Sequence, residues 1–275
     1  PARAGKTEPG QETIWDQIMA AQAMRGLRQG HQYIEEKKYD LALQEMRRAV
    51  SADPKNPVGH MLLGVAQYWN GQVDDSIASY NTAIGLDAKS AQAHLLLGIS
   101  HAWKGDAPAS ERAFRRATEL EPGRADAQMN LGSIRESRGD VPEALELFRK
   151  AVDLDKKNPL YRFQLGQLYR KLGRDADAAE QLREAVKLES DYEDAMLELG
   201  CAEERLKEDK AAISTLKRAV SLKPGDSVAR MRLARLQLKS GDRAKARATL
   251  SDAFHLTPEI GGPGLQLSVS YAGGK

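Results

Sequence analysis

The chain has 275 residues, of which 41% are hydrophobic and 29% are charged, and 41 Lys and Arg residues nearly balance 39 Asp and Glu residues. This balance excludes a chain that is disordered throughout and gives no bulk electrostatic attraction to nucleic acid or to a membrane surface. The single cysteine, Cys201, excludes an intramolecular disulfide and a multi-cysteine metal site. No apolar run approaches the roughly 18 residues that a membrane span needs.

The first element in the chain is a predicted leading helix within residues 1–22. Ile14, Trp15, Ile18 and Met19 recur at the spacing of one helix face. Tandem repeats follow this helix in the chain. We expect it to continue into the first helix of those repeats and to shield the open face of the first repeat.

A repeat of 34 residues follows the leading helix. One column holds a small residue, at Gly30, Gly64, Gly98, Gly132, Gly166, Gly200 and Ala234. A second column, 19 residues further on, is alanine throughout, at Ala49, Ala83, Ala117, Ala151, Ala185, Ala219 and Ala253. Columns that stay in phase over seven periods predict a tandem array in which each period is one supersecondary unit.

Each period is predicted to be a helical hairpin. In the second unit, Asn56 can cap a first helix that has Pro57 in its first turn, and Gly71 can end that helix. A second helix then carries Tyr80 and Ala83 on an apolar stripe. The closing glycine recurs as Gly105, Gly139, Gly173 and Gly241, while Lys37 and Lys207 replace it in the remaining two units.

The small column predicts how the two helices of a hairpin meet. Helices approach closely only where side chains are short, and large residues must then fill the space around the contact. The large residues expected opposite the small column are Tyr80, Phe114, Phe148, Leu182, Leu216 and Leu250. A lone hairpin cannot bury these faces, so we expect neighbouring repeats to stack.

This pattern resembles the tetratricopeptide repeat (TPR) family. The residues that carry the resemblance are Leu131-Gly132, Ala144 with Phe148, and Phe114 with Pro122. The resemblance implies an all-α fold, a right-handed superhelical solenoid of helix-turn-helix repeats. The first aromatic position of the family pattern is not kept, and holds Gly26, His60, His94, Gln128, Arg162, Met196 and Arg230. The 35-residue helical repeat that reads RNA fits less well, because the phase stays at 34 without drift.

Seven units are expected between a leading segment and a tail. Their ranges are 23–56, 57–90, 91–124, 125–158, 159–192, 193–226 and 227–260. The leading segment is 1–22, and the tail is 261–275. Gly261-Gly-Pro-Gly264 breaks the helical pattern, and the alternation in 265–271 predicts a short strand. We expect this tail to dock on the array or on a partner, or else to be a floppy terminus.

Catalytic and metal chemistry is disfavoured by the residues present. His60, His94 and His101 invite a metal hypothesis, but no acidic or cysteine ligand accompanies them at a zinc-like spacing. Cys201 is interpreted as a small apolar filler. Phosphate-binding loops and Ser-His-Asp arrangements are not found in the sequence. We therefore expect no enzyme activity, no metal and no cofactor.

Pairs of basic residues recur on the second helices and raise the question of nucleic acid. They are Arg47-Arg48, Arg115-Arg116, Arg149-Lys150 and Lys217-Arg218. Interleaved acids such as Glu146 favour a solvated outer face over nucleic-acid binding.

The stripe that packing leaves free on each first helix is the expected working surface, and the resemblance implies that it lines the concave groove of the superhelix. Large apolar side chains on a wall that meets water typically mark a contact site. The expected partner-binding residues are Met61, Val65, Tyr68, Trp69, Leu95, Ile99, Trp103, Met129, Phe163, Gln167, Arg170, Lys171, Arg205, Arg235 and Lys239. The Lys and Asn arrangement with which family members clamp a terminal carboxylate is not reproduced.

The sequence therefore predicts a scaffold that binds a partner segment with apolar and acidic residues. The alternative reading of Trp69 and Trp103 is that they only pack between adjacent first helices. Self-assembly through an uncapped end is a second function, and a regulatory enzyme is a distant third. A leader removed before Pro1 would imply a periplasmic or membrane-tethered protein, and the cytoplasm is expected otherwise.

Overall fold

The chain is all α-helical in the part that a computed structural model describes, residues 14–256, apart from the side chains of Asp16 and of 252–256. Its helices are α1 (Ile14–Glu35), α2 (Tyr39–Ala52), α3 (Pro57–Trp69), α4 (Val73–Leu86), α5 (Ala91–Trp103), α6 (Ala107–Leu120), α7 (Ala125–Ser137), α8 (Val141–Leu154), α9 (Pro159–Lys171), α10 (Asp175–Leu188), α11 (Glu193–Arg205), α12 (Asp209–Leu222), α13 (Ser227–Lys239) and α14 (Arg243–Leu256). The expected tail, with its strand, lies outside the described residues. The prediction of an all-α repeat solenoid is confirmed.

The helices form two compact units, one ending at Leu154 and the other beginning at Asp155. Helices α1 to α8 belong to the first unit and α9 to α14 to the second. Within each unit consecutive helices pair as hairpins, and the second helix of one hairpin packs on the first helix of the next. Within each unit, neighbouring hairpins therefore cover each other's apolar faces, as expected for a repeat array.

Local sequence signals set the ends of the helices as predicted. The Asn56 side chain accepts hydrogen bonds from the backbone N–H groups of Val58 (3.0 Å) and Gly59 (3.2 Å), and Pro57 occupies the first turn of α3. Gly71 ends this hairpin turn with a φ of 79°. That left-handed conformation costs glycine little, because glycine has no Cβ.

Two lysines adopt the same left-handed conformation. Lys37 has a φ of 58° and Lys207 a φ of 62°, where five other units have glycine. A side chain in this region is strained by roughly 1–2 kcal/mol.

Replacing Lys207 with glycine is expected to raise the free energy of unfolding by about 0.5–1 kcal/mol. The relief of backbone strain exceeds the extra entropy that glycine gives the unfolded chain. Urea unfolding followed by circular dichroism measures the difference. The reverse change at the equivalent position, Gly241→Lys, should destabilise by a similar amount, and a stabilised Gly241→Lys variant would contradict this account.

The small column meets the large column inside five of the hairpins, as predicted. A Cβ built on each glycine would lie within 3 Å of the large side chain: Gly64 with Tyr80 at 2.5 Å, Gly98 with Phe114 at 2.5 Å, Gly132 with Phe148 at 2.6 Å, Gly166 with Leu182 at 2.7 Å and Gly200 with Leu216 at 2.7 Å. The described members of the alanine column are buried beside these contacts. Short side chains thus set the helix–helix distance in these hairpins.

The leading helix runs into the first helix of the array, as expected, to form α1. The expectation that its apolar side chains shield the first repeat is wrong for Ile14, Trp15 and Ile18, which are exposed. The reason is length: 22 residues span about 33 Å of helix, whereas the 14 residues of α2 span about 21 Å. The first turns of α1 therefore extend past the end of α2.

Candidate functional site

Two indoles are exposed at the ends of consecutive first helices. Trp69 is the last residue of α3 and is 56% exposed, and Trp103 is the last residue of α5 and is 72% exposed. The Tyr68 ring contacts both edge-on, with centroid distances of 5.4 Å to Trp69 and 6.2 Å to Trp103. Tyr39, at the start of α2, stacks on Trp69 at 6.0 Å with an interplanar angle of 13°. Tyr39, Tyr68, Trp69 and Trp103 are called the aromatic edge below.

Tyr39 is a member of the aromatic edge that the sequence analysis missed. Its signal was its position, because it begins a second helix where the other units have no aromatic residue. The equivalent residues are Val73, Ala107, Val141, Asp175, Asp209 and Arg243. Trp69 does contact the preceding repeat through this ring, yet more than half of its surface stays exposed. Packing between helices therefore covers less than half of Trp69 and of Trp103.

The second compact unit uses the same inter-repeat position for ion pairs. Arg205, which ends α11, places Nε 2.9 Å from Oδ2 of Asp175 at the start of α10. Lys239, which ends α13, places Nζ 2.7 Å from Oδ2 of Asp209 at the start of α12. In the first compact unit, the end of α3 thus contacts the start of α2 through an aromatic stack. In the second compact unit, the equivalent helix ends are joined by salt bridges.

Three residues expected to line an exposed wall are buried instead. Leu95 is 3% exposed, Met129 5% and Phe163 8%. Leu95 packs in a cluster with Phe114 of α6 and residues of α7, and the Phe163 ring lies 4.9 Å from that of Tyr192. The fifth residue of these units faces the neighbouring repeat, so the expectation that these three are anchors for a partner is wrong.

Other residues expected to bind a partner keep part of their surface exposed to solvent. Met61 and Val65 are half-buried against the core cluster of Tyr80, and Ile99 is half-buried against that of Leu95. Gln167 is half-buried and Lys171 is exposed.

The expected basic residues of the later repeats are engaged by carboxylates. Arg170 of α9 pairs with Glu198 of α11, with Nη2 3.3 Å from Oε1. Glu204 of α11 accepts a hydrogen bond from Arg232 (3.1 Å) and also pairs with Arg235 of α13. The carboxylates of both pairs are largely buried. A partner's acidic group would have to compete with these ion pairs for the same cations.

Two of the three histidines that suggested a metal site, His60 and His94, make backbone contacts, and His101 lies near the Asp106 carboxylate (3.6 Å). His60 Nε2 lies 2.9 Å from the Pro54 carbonyl oxygen, and the His94 ring bonds to the Ala88 carbonyl. Gln128, Arg162 and Arg230, at the equivalent position, donate to the carbonyls of Pro122, Lys156 and Pro224. In each case the acceptor is six residues earlier, in the turn between repeats. Within residues 14–256, no group of His, Cys, Asp and Glu could hold a metal ion.

Burial lowers the pKa of two histidines. The pKa of His94 is lowered chiefly by desolvation, against the raising effect of its bond to Ala88. The pKa of His101 is lowered by desolvation, with Asp106 opposing the shift. Neutral imidazole is therefore favoured in the folded protein.

Folding stability is expected to fall as the pH is lowered from 7.5 to 5.5. Below the unfolded-state pKa of about 6.5, the unfolded chain binds more protons than the folded chain, so the free energy of unfolding decreases. His94→Gln should make this decrease shallower while keeping a donor, as Gln128 does at the equivalent position. Urea unfolding at each pH is the measurement, and an unchanged pH dependence in the variant would contradict the assignment.

Cys201 is an apolar filler in α11. Its side chain is buried, and burial raises the pKa of the thiol. A neutral, inaccessible thiol is a poor nucleophile and a poor metal ligand.

Sequence profiles identify the family. One tetratricopeptide repeat profile matches residues 95–159 and 163–227, and a second matches 33–99 and 210–259. The chain belongs to the tetratricopeptide repeat family, whose members are typically non-catalytic scaffolds. Comparison with curated proteins gave no significant match.

Solved structures share the fold at low sequence identity. The pilF protein of Pseudomonas aeruginosa is 18% identical over 82% of this chain and all of its own, with a TM-score of 0.69. The Cut9–Hcn1 hetero-tetramer of APC/C is 18% identical over 92% of this chain and 48% of that chain, with a TM-score of 0.63. YrrB, described as a TPR protein with an unusual peptide-binding site, is 19% identical over 67% and 95%, with a TM-score of 0.56. The fold supports a general role as a protein-interaction scaffold.

No helix within residues 14–256 is both long enough and apolar enough to cross a bilayer.

Proposed function

We propose that the protein is a scaffold that holds a segment of a partner polypeptide against the first helices of its first compact unit, with the aromatic edge as the anchor. The observation that carries this proposal is Trp103, whose indole is 72% exposed and touches only the edge of Tyr68 among the aromatic rings. Tryptophan and tyrosine are enriched among the residues that dominate binding energy at interfaces. An exposed cluster of such rings is therefore a contact surface.

Aliphatic side chains extend the surface along both helices. Val65 lies one turn before Trp69 on α3, and Ile99 lies one turn before Trp103 on α5. Residues four apart share a helix face, so each indole continues the face of a half-buried aliphatic residue. A segment lying across α3 and α5 could thus contact aromatic and aliphatic groups together.

The structural relatives support the same class of function. YrrB is described as having a peptide-binding site, and the matched APC/C chain belongs to the hetero-tetramer Cut9–Hcn1. The first compact unit is favoured over the second, because the cations predicted to attract an acidic partner there are paired within the protein.

Site-specific photo-crosslinking in cells tests the proposal. A photoreactive amino acid at Ala102, exposed beside Trp103 on α5, should capture a discrete partner polypeptide. The same group at Asn81, exposed on α4, is the matched control and should not. Trp69→Ala combined with Trp103→Ala should reduce the yield about tenfold with helicity unchanged, since each substitution removes an exposed ring.

The control for loss of an indole is Trp15→Ala, because Trp15 is also exposed but lies outside the aromatic edge. Equal crosslinking from Ala102 and Asn81, or a yield that does not respond to the double substitution, would contradict the proposal.

Self-association is a second candidate function, favoured by the N-terminal turns of α1. Ile14, Trp15 and Ile18 are exposed there, and Trp15 is 67% exposed. Burial of these side chains against a second copy would remove apolar surface from water. Sedimentation velocity should then show mass that rises with concentration and a reduced effect in Trp15→Ala. A monomer at every concentration would exclude this function.

A further inference from the structure

The aromatic edge lies among acidic side chains. The three turns that follow α1, α3 and α5, residues 35–41, 69–75 and 103–109, contain six carboxylates and three lysines. The carboxylates belong to Glu35, Glu36, Asp40, Asp74, Asp75 and Asp106, and all six residues are exposed. The chain as a whole has a formal charge of +2, so this edge has the opposite sign to the whole protein.

Local pairing leaves part of this negative charge available. Lys38 Nζ lies 2.7 Å from Oε2 of Glu36, and Lys104 pairs with Asp74. Asp40 and Asp75, in the first turns of α2 and α4, make no ion pair within residues 14–256. Two carboxylates at this edge therefore have no cation of the described part of the chain to neutralise them.

Carboxylates lie close in sequence to the residues of the aromatic edge. Asp40 follows Tyr39, whose ring stacks on Trp69. Lys104 follows Trp103 and reaches across to Asp74, which brings the start of α4 to the end of α5. Aromatic rings and carboxylates thus share the same inter-helix turns of the first compact unit.

This arrangement selects for cations that can also stack. The face of an indole attracts a positive charge through its quadrupole, and a nearby carboxylate adds direct charge attraction. The arginine guanidinium is planar and weakly hydrated, so it stacks on rings more readily than an ammonium group does. An acidic partner segment would instead be repelled by Asp40 and Asp75.

We infer that the aromatic edge recognises arginine-bearing segments of a partner polypeptide, with guanidinium groups on the exposed indoles and carboxylates beside them. This inference rests on the proposed function and specifies the chemistry of the partner. It adds basic residues to the partner segment, for which the sequence predicts apolar and acidic residues.

The test uses the full chain and three synthetic peptides. The probe is a fluorescein-labelled nine-residue peptide with three arginines spaced by small residues, and the matched peptides carry citrulline or glutamate in place of arginine. Fluorescence anisotropy at 50 and 300 mM salt gives the Kd values. The indole N–H resonances, assigned with Trp15→Phe, Trp69→Phe and Trp103→Phe, report where each peptide binds.

At 50 mM salt the arginine peptide should bind at least tenfold more tightly than the citrulline peptide. It should shift the resonances of Trp69 and Trp103 but not that of Trp15. Asp40→Asn with Asp75→Asn should weaken arginine-peptide binding at least threefold and leave citrulline-peptide binding unchanged. The control pair Asp153→Asn with Asp191→Asn, which removes the same charge elsewhere on the exposed surface, should have little effect.

The remaining outcomes overturn the inference in distinguishable ways. Citrulline and arginine peptides that bind equally well at the same indoles would exclude the preference for arginine but leave a polypeptide-binding surface. Tightest binding by the glutamate peptide would also exclude it. Indole resonances that no peptide moves would overturn the inference, and the crosslinking from Ala102 would then decide the proposed function by itself.

Discussion

Replacing Gly132 with alanine is expected to lower the free energy of unfolding by about 2 kcal/mol, although alanine is the better helix former. A Cβ at this position would lie 2.6 Å from two atoms of the Phe148 ring and 3.2 Å from Cβ of Leu147. Phe148 is fully buried, so its ring cannot turn into solvent. Overpacking of this kind costs up to about 3 kcal/mol, and the helix preference of alanine returns only about 1 kcal/mol.

A matched substitution separates packing from helix preference. Gly85 lies in α4 with nothing within 4 Å of an added Cβ, so Gly85→Ala should raise the free energy of unfolding by about 0.5 kcal/mol. Urea unfolding measures both variants under the same conditions. If both substitutions shifted stability in the same direction, close approach to Phe148 could not be the reason that this position is glycine.

The hairpins could be predicted from the sequence because every repeat solves the same packing problem. A glycine or alanine at one position demands a large residue at another, and 34-residue spacing then repeats the pair. Pro57 and Pro159 begin first helices three periods apart, and Asn56 and Asn158 cap them in the same way. A required backbone conformation or a close helix contact limits which residue types can occupy a position, and one sequence is enough to show that limit.

Exposure of the first-helix residues could not be predicted in the same way. Both Leu95 and Trp103, which lies one residue beyond the free stripe, were expected to bind a partner. Phe114 of the same hairpin and residues of the next repeat cover Leu95, whereas Trp103 stays open. How much of a side chain the next hairpin covers depends on the angle between repeats, which no single residue encodes.

The sequence also could not predict which charged residues form ion pairs within the protein. Arg205 and Lys239 were predicted to face a partner, but each reaches an aspartate of the preceding repeat. That contact joins residues 30 positions apart in sequence. Such pairs become visible only after the rise and rotation from one repeat to the next are known.

One buried charge in the first compact unit departs from the repeat pattern. Glu111 of α6 occupies a column that is apolar in five units, at Leu43, Ile77, Leu145, Ala179 and Ile213. Its side chain is largely buried, and Arg135 of α7 places Nη2 2.8 Å from Oε1. Arg115 and Arg138 pair with the same carboxylate. Three guanidinium groups from two helices and a turn therefore converge on one acid.

Glu111→Gln is expected to lower the free energy of unfolding by about 3 kcal/mol, because it leaves the largely buried guanidinium of Arg135 without its nearest carboxylate. Glu143, 3.2 Å from Arg135 Nε, limits the loss. Urea unfolding monitored by circular dichroism gives the difference.

Replacing both Glu111 and Arg135 should lower the free energy of unfolding far less than replacing Glu111 alone. Leucine at position 111 and glutamine at position 135 each occur at the equivalent position of another unit, as Leu145 and as Gln67. We expect Glu111→Leu combined with Arg135→Gln to lie within about 1 kcal/mol of the wild-type protein, since an apolar residue avoids the desolvation of the ion pair. A double variant as unstable as Glu111→Gln would mean that the other two arginines, rather than Arg135, account for the requirement for this carboxylate.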